Sequence, residues 1–325
     1  LFLCFFYMRM KFFYFFHYFF QIQSLEKNLR FLRHMPVSEL IQNLFDTYLG
    51  KLPETFTYEG KQYTPKTFAE SLGLNMSDYI ELTSVPFVIS AGREDFIDNE
   101  DLDVQRMLHD MEQEKSASHT SCPAPGTWLE QFEKSDRTFA ITISSQLSGS
   151  MNSALTAMDM ALEAHPEKKI AVLDSGSTGP ELVLCVHELE KLAREGVDFD
   201  EAVVRANQFL DKTKCIFALS SFDNLIKNGR MNKMTGFLAK ALGMWGIGSA
   251  SDEGKIVIEG KTKGPKKAVR ALIGLMKEHG FAGGHVAISH CDNHIVAQAL
   301  RDSILEAWSN STIDILPTRG LCSYY

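Results

Sequence analysis

Strand-like apolar runs alternate with amphipathic stretches over most of this chain. Val85-Pro86-Phe87-Val88-Ile89-Ser90 predicts a short strand, and residues 102–111 carry helical periodicity. A helix is expected at 126–134, and Phe139-Ala140-Ile141-Thr142-Ile143 predicts a buried strand. That strand runs into the polar loop 144–150, and a helix follows at 151–164. A further strand at 169–173 ends at Asp174-Ser175-Gly176-Ser177-Thr178-Gly179, ahead of a helix at 180–195. Strand, loop and helix repeated in this way are the mark of a parallel sheet. Ligands in such sheets bind beyond the carboxyl ends of the strands, where both Ser/Gly loops lie.

A second unit is expected from residue 213. It has strands at 214–219, 255–258 and 285–289, and helices at 222–227, 266–279 and 293–308. The reading is therefore α/β, with two lobes at 79–212 (parallel sheet) and 213–325 and a cleft between them as the expected site. Residues 35–78 read as a helical N-terminal extension, from Leu40, Ile41, Leu44, Phe45 and Leu49 at helical spacing and a second short helix after Tyr63-Thr64-Pro65. Residues 1–34 are an apolar segment. Arg9 and Lys11 interrupt it, each costing about 3 kcal/mol in a membrane, and no small-residue cleavage site follows. That segment is expected to be non-native or disordered, with Met8, Met10 and Met35 as candidate starts.

Charge changes the picture in one respect. Lys and Arg number 33 against 41 Asp and Glu, a net charge of −8, so the chain lacks the pull toward phosphate backbones and nucleic acid is not an expected partner. The six cysteines form no C-x-x-C pair and read as reduced, mostly buried thiols of a cytoplasmic protein.

Five polar segments carry candidate chemistry. His119-Thr120-Ser121-Cys122-Pro123 offers adjacent hydroxyls to an anion, or is a capping turn. Ser144-Ser145-Gln146-Leu147-Ser148-Gly149-Ser150 is an anion site at a helix start, or an N-cap through Ser148 or Ser150. It is neither a P-loop nor a nucleophile elbow. Asn228-Gly229 presents Arg230 to a phosphate or acidic partner, or leaves it as a surface arginine. His290 ends a strand and is a donor to a carboxylate, or a capping residue before Asp292. His285, His290 and His294 share no obvious face with a carboxylate, so no metal is expected. The basic run Lys261, Lys263, Lys266, Lys267 and Arg270 is a phosphate or partner patch, or a solvated helix entry.

These pieces occur in a telling order: Thr-Ser-x-Pro, Ser-Ser-x-Leu-Ser-Gly, Asp-Ser, Phe-Asp-Asn-Leu-x-Lys-x-Gly-Arg, Gly-Lys-Ile with Lys-Lys-Ala, then Ile-Ser-His. From residue 79 to 325 the chain resembles the DegV family. The resemblance implies a two-lobed α/β protein enclosing one long-chain fatty acid in a ligand tunnel between the lobes, without catalytic residues of its own and without a cofactor; beside the family the second lobe, 213–325, reads as truncated. Such a protein serves as the fatty-acid-binding subunit of a bacterial fatty acid kinase, whose separate catalytic subunit makes an acyl phosphate for phospholipid synthesis. It also implies that Thr120, Ser121, Ser145, Ser148, Gly149 and His290 hold the fatty acid, and that Arg230 meets the kinase or phosphate. The expected partners are therefore the fatty acid and the kinase subunit, with transient contact at a membrane surface.

Physical chemistry is consistent with that picture. A buried carboxylate needs several donors, and each buried methylene of the tail contributes about 0.8 kcal/mol. The family's opening strand with Thr-Asp-Ser has no counterpart before residue 79, and Cys122, Ala124 and Ser150 stand where Gln, Ser and Thr are commoner. Two other classes fit parts of the pattern. One is a serine hydrolase or acyltransferase using Ser145 or Ser148 with His290. The other is a non-catalytic scaffold with a degenerate pocket.

Overall fold

The computed structural model describes residues 56–58, 61–63, 81–92, 94–113, 118–231 and 243–325. Contacts divide the chain into two units, 1–82 and 83–325. The described residues of the first form an antiparallel hairpin, β1 (Phe56–Tyr58) with β2 (Lys61–Tyr63). This corrects the helical reading of 35–78 at that point. Phe56, Thr57, Tyr58 and Tyr63 are strand formers, and the two residues between the strands, Glu59-Gly60, are a hairpin signal. Residues 1–34, the helix expected around Leu40–Leu49 and the helix expected after Tyr63-Thr64-Pro65 lie outside the described residues.

In the second unit β3 (Val88–Ala91) lies between β4 (Glu94–Ile97) and β5 (His119–Ser121), antiparallel to both. Helix α1 (Val104–Gln113) covers this sheet, and Ile89, Ala91, Phe96 and Met107 pack together beneath it. The segment 119–121 was expected as a loop. Its Thr and Ser composition reads as turn chemistry, yet pairing with β3 satisfies its backbone.

The expected parallel sheet is present as β6 (Arg137–Thr142) paired with β7 (Lys169–Asp174), Thr142 opposite Asp174. Alternation along both strands fills two faces. On one, Ala140, Ile170 and Val172 meet α2 (Pro125–Phe132) and α3 (Ser150–Ala164). Ala154, Ala157 and Ala161 recur along α3 and are fully buried, so the helix packs closely on Trp128 and Phe132. On the other face Phe139, Ile141 and Leu173 meet α4 (Pro180–Arg194) and α5 (Phe199–Leu210). Helix α5 was not expected from the pattern. Its cap is clear in hindsight: the Asp198 side chain accepts from Asp200 N–H at 3.1 Å.

Beyond residue 213, β8 (Ile216–Leu219), β9 (Met244–Ala250) and β10 (Ile256–Lys263) form an antiparallel sheet in the order β10-β9-β8. A short helix α6 (Asp223–Lys227) follows β8. Helices α7 (Pro265–Glu278) and α8 (His294–Ala307) bury Leu272, Leu275, Met276 and Ile304 against that sheet and the parallel pair β11 (His285–His290) and β12 (Thr312–Pro317).

The last element, α9 (Gly320–Tyr324), crosses into the first expected lobe. Its Tyr324 joins Ile89, Phe96 and Met107, while the Asp98 carboxylate accepts Gly320 N–H at 2.7 Å and Leu321 N–H at 2.8 Å. The C-terminal helix thus packs on the sheet of β3 within the single unit 83–325.

Candidate functional site

Parallel pairing of β6 and β7 brings the loops after both strands to one end of the sheet. The loops bond directly: Ser144 N–H donates to Ser177 O at 2.7 Å, and Ser175 N–H to Thr142 O at 3.1 Å. Within the first loop the paired serines separate. Ser144 is fully buried and donates its hydroxyl to Gly254 O at 2.7 Å. Ser145 is exposed, and its N–H faces the Asp174 carboxylate, 3.2 Å from each oxygen. Ser148 Oγ accepts from Ser150 N–H at 3.1 Å in a local serine turn, while the N-cap position of α3 is Gly149 and carries no side-chain cap.

The Thr120 strand lies beside this loop. A Cβ placed on Gly149 would sit 3.5 Å from Cys122 Sγ, and the Ser153 hydroxyl of α3 donates to Pro123 O at 2.6 Å. Thr120 Oγ1 is 2.9 Å from Tyr325 Oη, and Ser121, opposite Val88, is exposed.

Arg230 closes the arrangement from the other side. It is half-buried rather than a free surface arginine. Its Nε donates to Leu147 O at 3.0 Å, within the serine loop, and its guanidinium lies 5.1 Å from the centre of the Tyr325 ring. Spare guanidinium N–H groups remain for an anion. Burial pushes the Tyr325 phenol up, against the Thr120 hydrogen bond and the Arg230 charge, so the phenol stays protonated at neutral pH.

The residues that sequence reasoning missed are those that join the motifs. Tyr324 Oη bonds Ser118 Oγ and accepts from Asn228 Nδ2, both at 2.9 Å, and Asn224 Nδ2 donates to Tyr324 O at 2.6 Å. The Asn224–Arg230 motif is therefore a socket for the tyrosine pair. An apolar cluster of Phe222, Leu225 and Met231 with Ile256 and Ile258 also packs on Tyr325.

His290 is placed differently. Its Nδ1 accepts from Asn293 N–H at 3.2 Å, and its carbonyl accepts Thr318 N–H at 2.9 Å. Among the described residues no hydrogen bond joins it to Thr120, Ser145, Ser148 or Arg230. Its link to the site runs through Thr318, whose hydroxyl is 2.6 Å from Ser323 Oγ in α9.

The DegV family model matches residues 71–325, and a DegV domain-containing protein of Streptococcus gordonii is 39% identical over 242 residues, 74% of this chain and 86% of the relative. The chain belongs to the DegV family. Two solved structures resemble it in sequence and fold. The fatty acid kinase (Fak) B3 protein of Streptococcus pneumoniae, loaded with linoleic acid, is 38% identical with a TM-score of 0.73, covering 74% of this chain and 86% of that one. A DegV family protein of Eubacterium eligens, loaded with heptadecanoic acid, is 36% identical with a TM-score of 0.73, covering 77% of this chain and 93% of that one.

The remaining features of this DegV chain fall outside the serine site. Lys261, Lys263, Lys266, Lys267 and Arg270 are all exposed. Among the described residues no group of His, Cys, Asp or Glu is arranged to hold a metal, and no helix is long and apolar enough to cross a membrane. Cys185 is buried, but Cys122 and Cys291 are exposed, so the expectation of mostly buried thiols fails at those two. Burial pushes the Cys185 thiol up to about 12, with Glu181 and Glu188 adding to the effect.

Proposed function

We propose that this chain binds one long-chain fatty acid and presents its carboxylate to a separate kinase subunit. The observation that carries the reading is the meeting of Thr120, the serine loop and Arg230 around one half-buried phenol, Tyr325. Relatives 36% and 38% identical were solved with fatty acids bound. In this reading Thr120, Ser121 and Ser145 donate to the carboxylate, and the Arg230 charge offsets its desolvation. Ser148 and Gly149 shape the loop. His290 is assigned to the head region by the family resemblance alone. The apolar residues around Phe222, Leu225 and Met231 receive the start of the tail. Arg230 has a second role at the rim, where the phosphoryl group arrives. The chain supplies binding and orientation, and the partner supplies the phosphoryl chemistry.

The test is labelled oleate binding by the full chain and by Thr120→Ala and Ser145→Ala. Saturable binding weakened about tenfold by either substitution is expected, the scale of a lost hydrogen bond to a charged group. Unchanged affinity in both variants would remove these hydroxyls from the site.

A further inference from the structure

The two serines at the proposed fatty-acid head are held by groups from distant parts of the fold. Asp174 ends β7, and its carboxylate accepts Ser145 N–H at 3.2 Å through each oxygen and Gly176 N–H at 3.0 Å. One residue earlier the Ser144 side chain is anchored by Gly254 O at 2.7 Å and accepts from Gln146 N–H at 3.1 Å. Gly254 is buried in the turn between β9 and β10 with φ +81°. A Cβ there would overlap Ser144 Oγ and lie 2.9 Å from Gly176 O. Two separate segments, the loop after β7 and the turn between β9 and β10, therefore hold the Ser144–Ser145 stretch from opposite sides. The Ser145 hydroxyl is left on the exposed side with no partner among the described residues.

We infer that Asp174 is the positioning residue for the Ser145 hydroxyl, with Ser144 and Gly254 bracing the same loop from the opposite side. This rests on Ser145 being a donor to the fatty-acid carboxylate, and assigns what orients that donor. Asp174 acts through the backbone: its oxygens accept from two amides, which fixes the path of the loop. Its contribution is to carboxylate recognition and not to tail burial. Removing it loosens the loop and erodes the preference for a ligand with a carboxylate over one without.

The experiment compares oleate with oleyl alcohol, which shares the tail and lacks the charge, on the full chain and its variants. Asp174→Ala should weaken oleate about tenfold while oleyl alcohol changes less than about twofold. Asp174→Asn, which keeps an acceptor oxygen, should recover part of the loss. Unchanged oleate affinity, or an equal loss for both ligands, overturns the positioning role. If Asp174→Ala does not fold, Gly254→Ala displaces the same loop from the other side and should give the same selective loss, with an equal loss or none overturning the role. The underlying reading fails differently. An unchanged Ser145→Ala removes Ser145 from the head and the positioning role with it, and a wild-type chain that takes up neither ligand overturns fatty-acid binding itself.

Discussion

Ser144 and Ser145 are adjacent and chemically identical, yet one is walled in and the other faces solvent. The difference comes from partners 110 and 29 residues away: Gly254 O takes the hydroxyl of the first, and Asp174 takes the amide of the second. Glu181 is a buried polar residue of another kind. It sits in the first turn of α4, where Thr213 Oγ1 donates to it. Burial raises its carboxyl above the ordinary 4.5, against hydrogen bonds from Thr213 and Ser177 and the charge of Lys214. The folded protein therefore holds the proton more tightly than the unfolded chain. That contribution to stability is complete below the ordinary carboxylate range and is lost as pH rises through the raised value. Glu181→Gln, which keeps the shape without the titration, should gain stability relative to wild type as pH rises. Urea midpoints from about pH 4 to about pH 8 would show this, and a constant offset between the two proteins would contradict it.

Among the elements, the β6–α3 and β7–α4 units were legible because their periodicity is strong and their loops are rich in Ser and Gly. Strand β9 was not. Met244-Trp245-Gly246-Ile247-Gly248-Ser249-Ala250 has glycines where a strand pattern needs side chains. The structure supplies the reason at Gly248, which pairs with Phe217 on one side and Ile258 on the other. A Cβ there would run into the Phe217 ring and Val257 O. Gly248→Ala should cost about 1–3 kcal/mol through overpacking. Gly274→Ala in α7, where a Cβ meets nothing within 4 Å, should instead stabilise by about 0.5–1 kcal/mol. Denaturant midpoints check both, and equal signs would contradict the packing argument. The strand β5 and the helix α9 escaped the sequence reading for related reasons. Both are short, and Ser, Thr, Gly and Tyr decide nothing locally. Asn224 and Asn228 lie in a motif the sequence did mark, but Tyr324 is 100 and 96 residues from them, and only the fold brings it and Tyr325 to that motif.

On the scale of the whole molecule, the body from Thr83 onward is one compact unit in which α9 ties the strand of Thr120 to the loop of Arg230. The order of the sequence motifs pointed to the family, and the family model and the relatives bear that out. The geometry adds which residues meet. The measurement that tests the account most directly is native mass spectrometry of the full chain purified from bacteria, followed by extraction of its lipid. The account predicts one long-chain fatty acid per chain, exchangeable for added oleate. A folded chain that carries no fatty acid and takes up no oleate would contradict it.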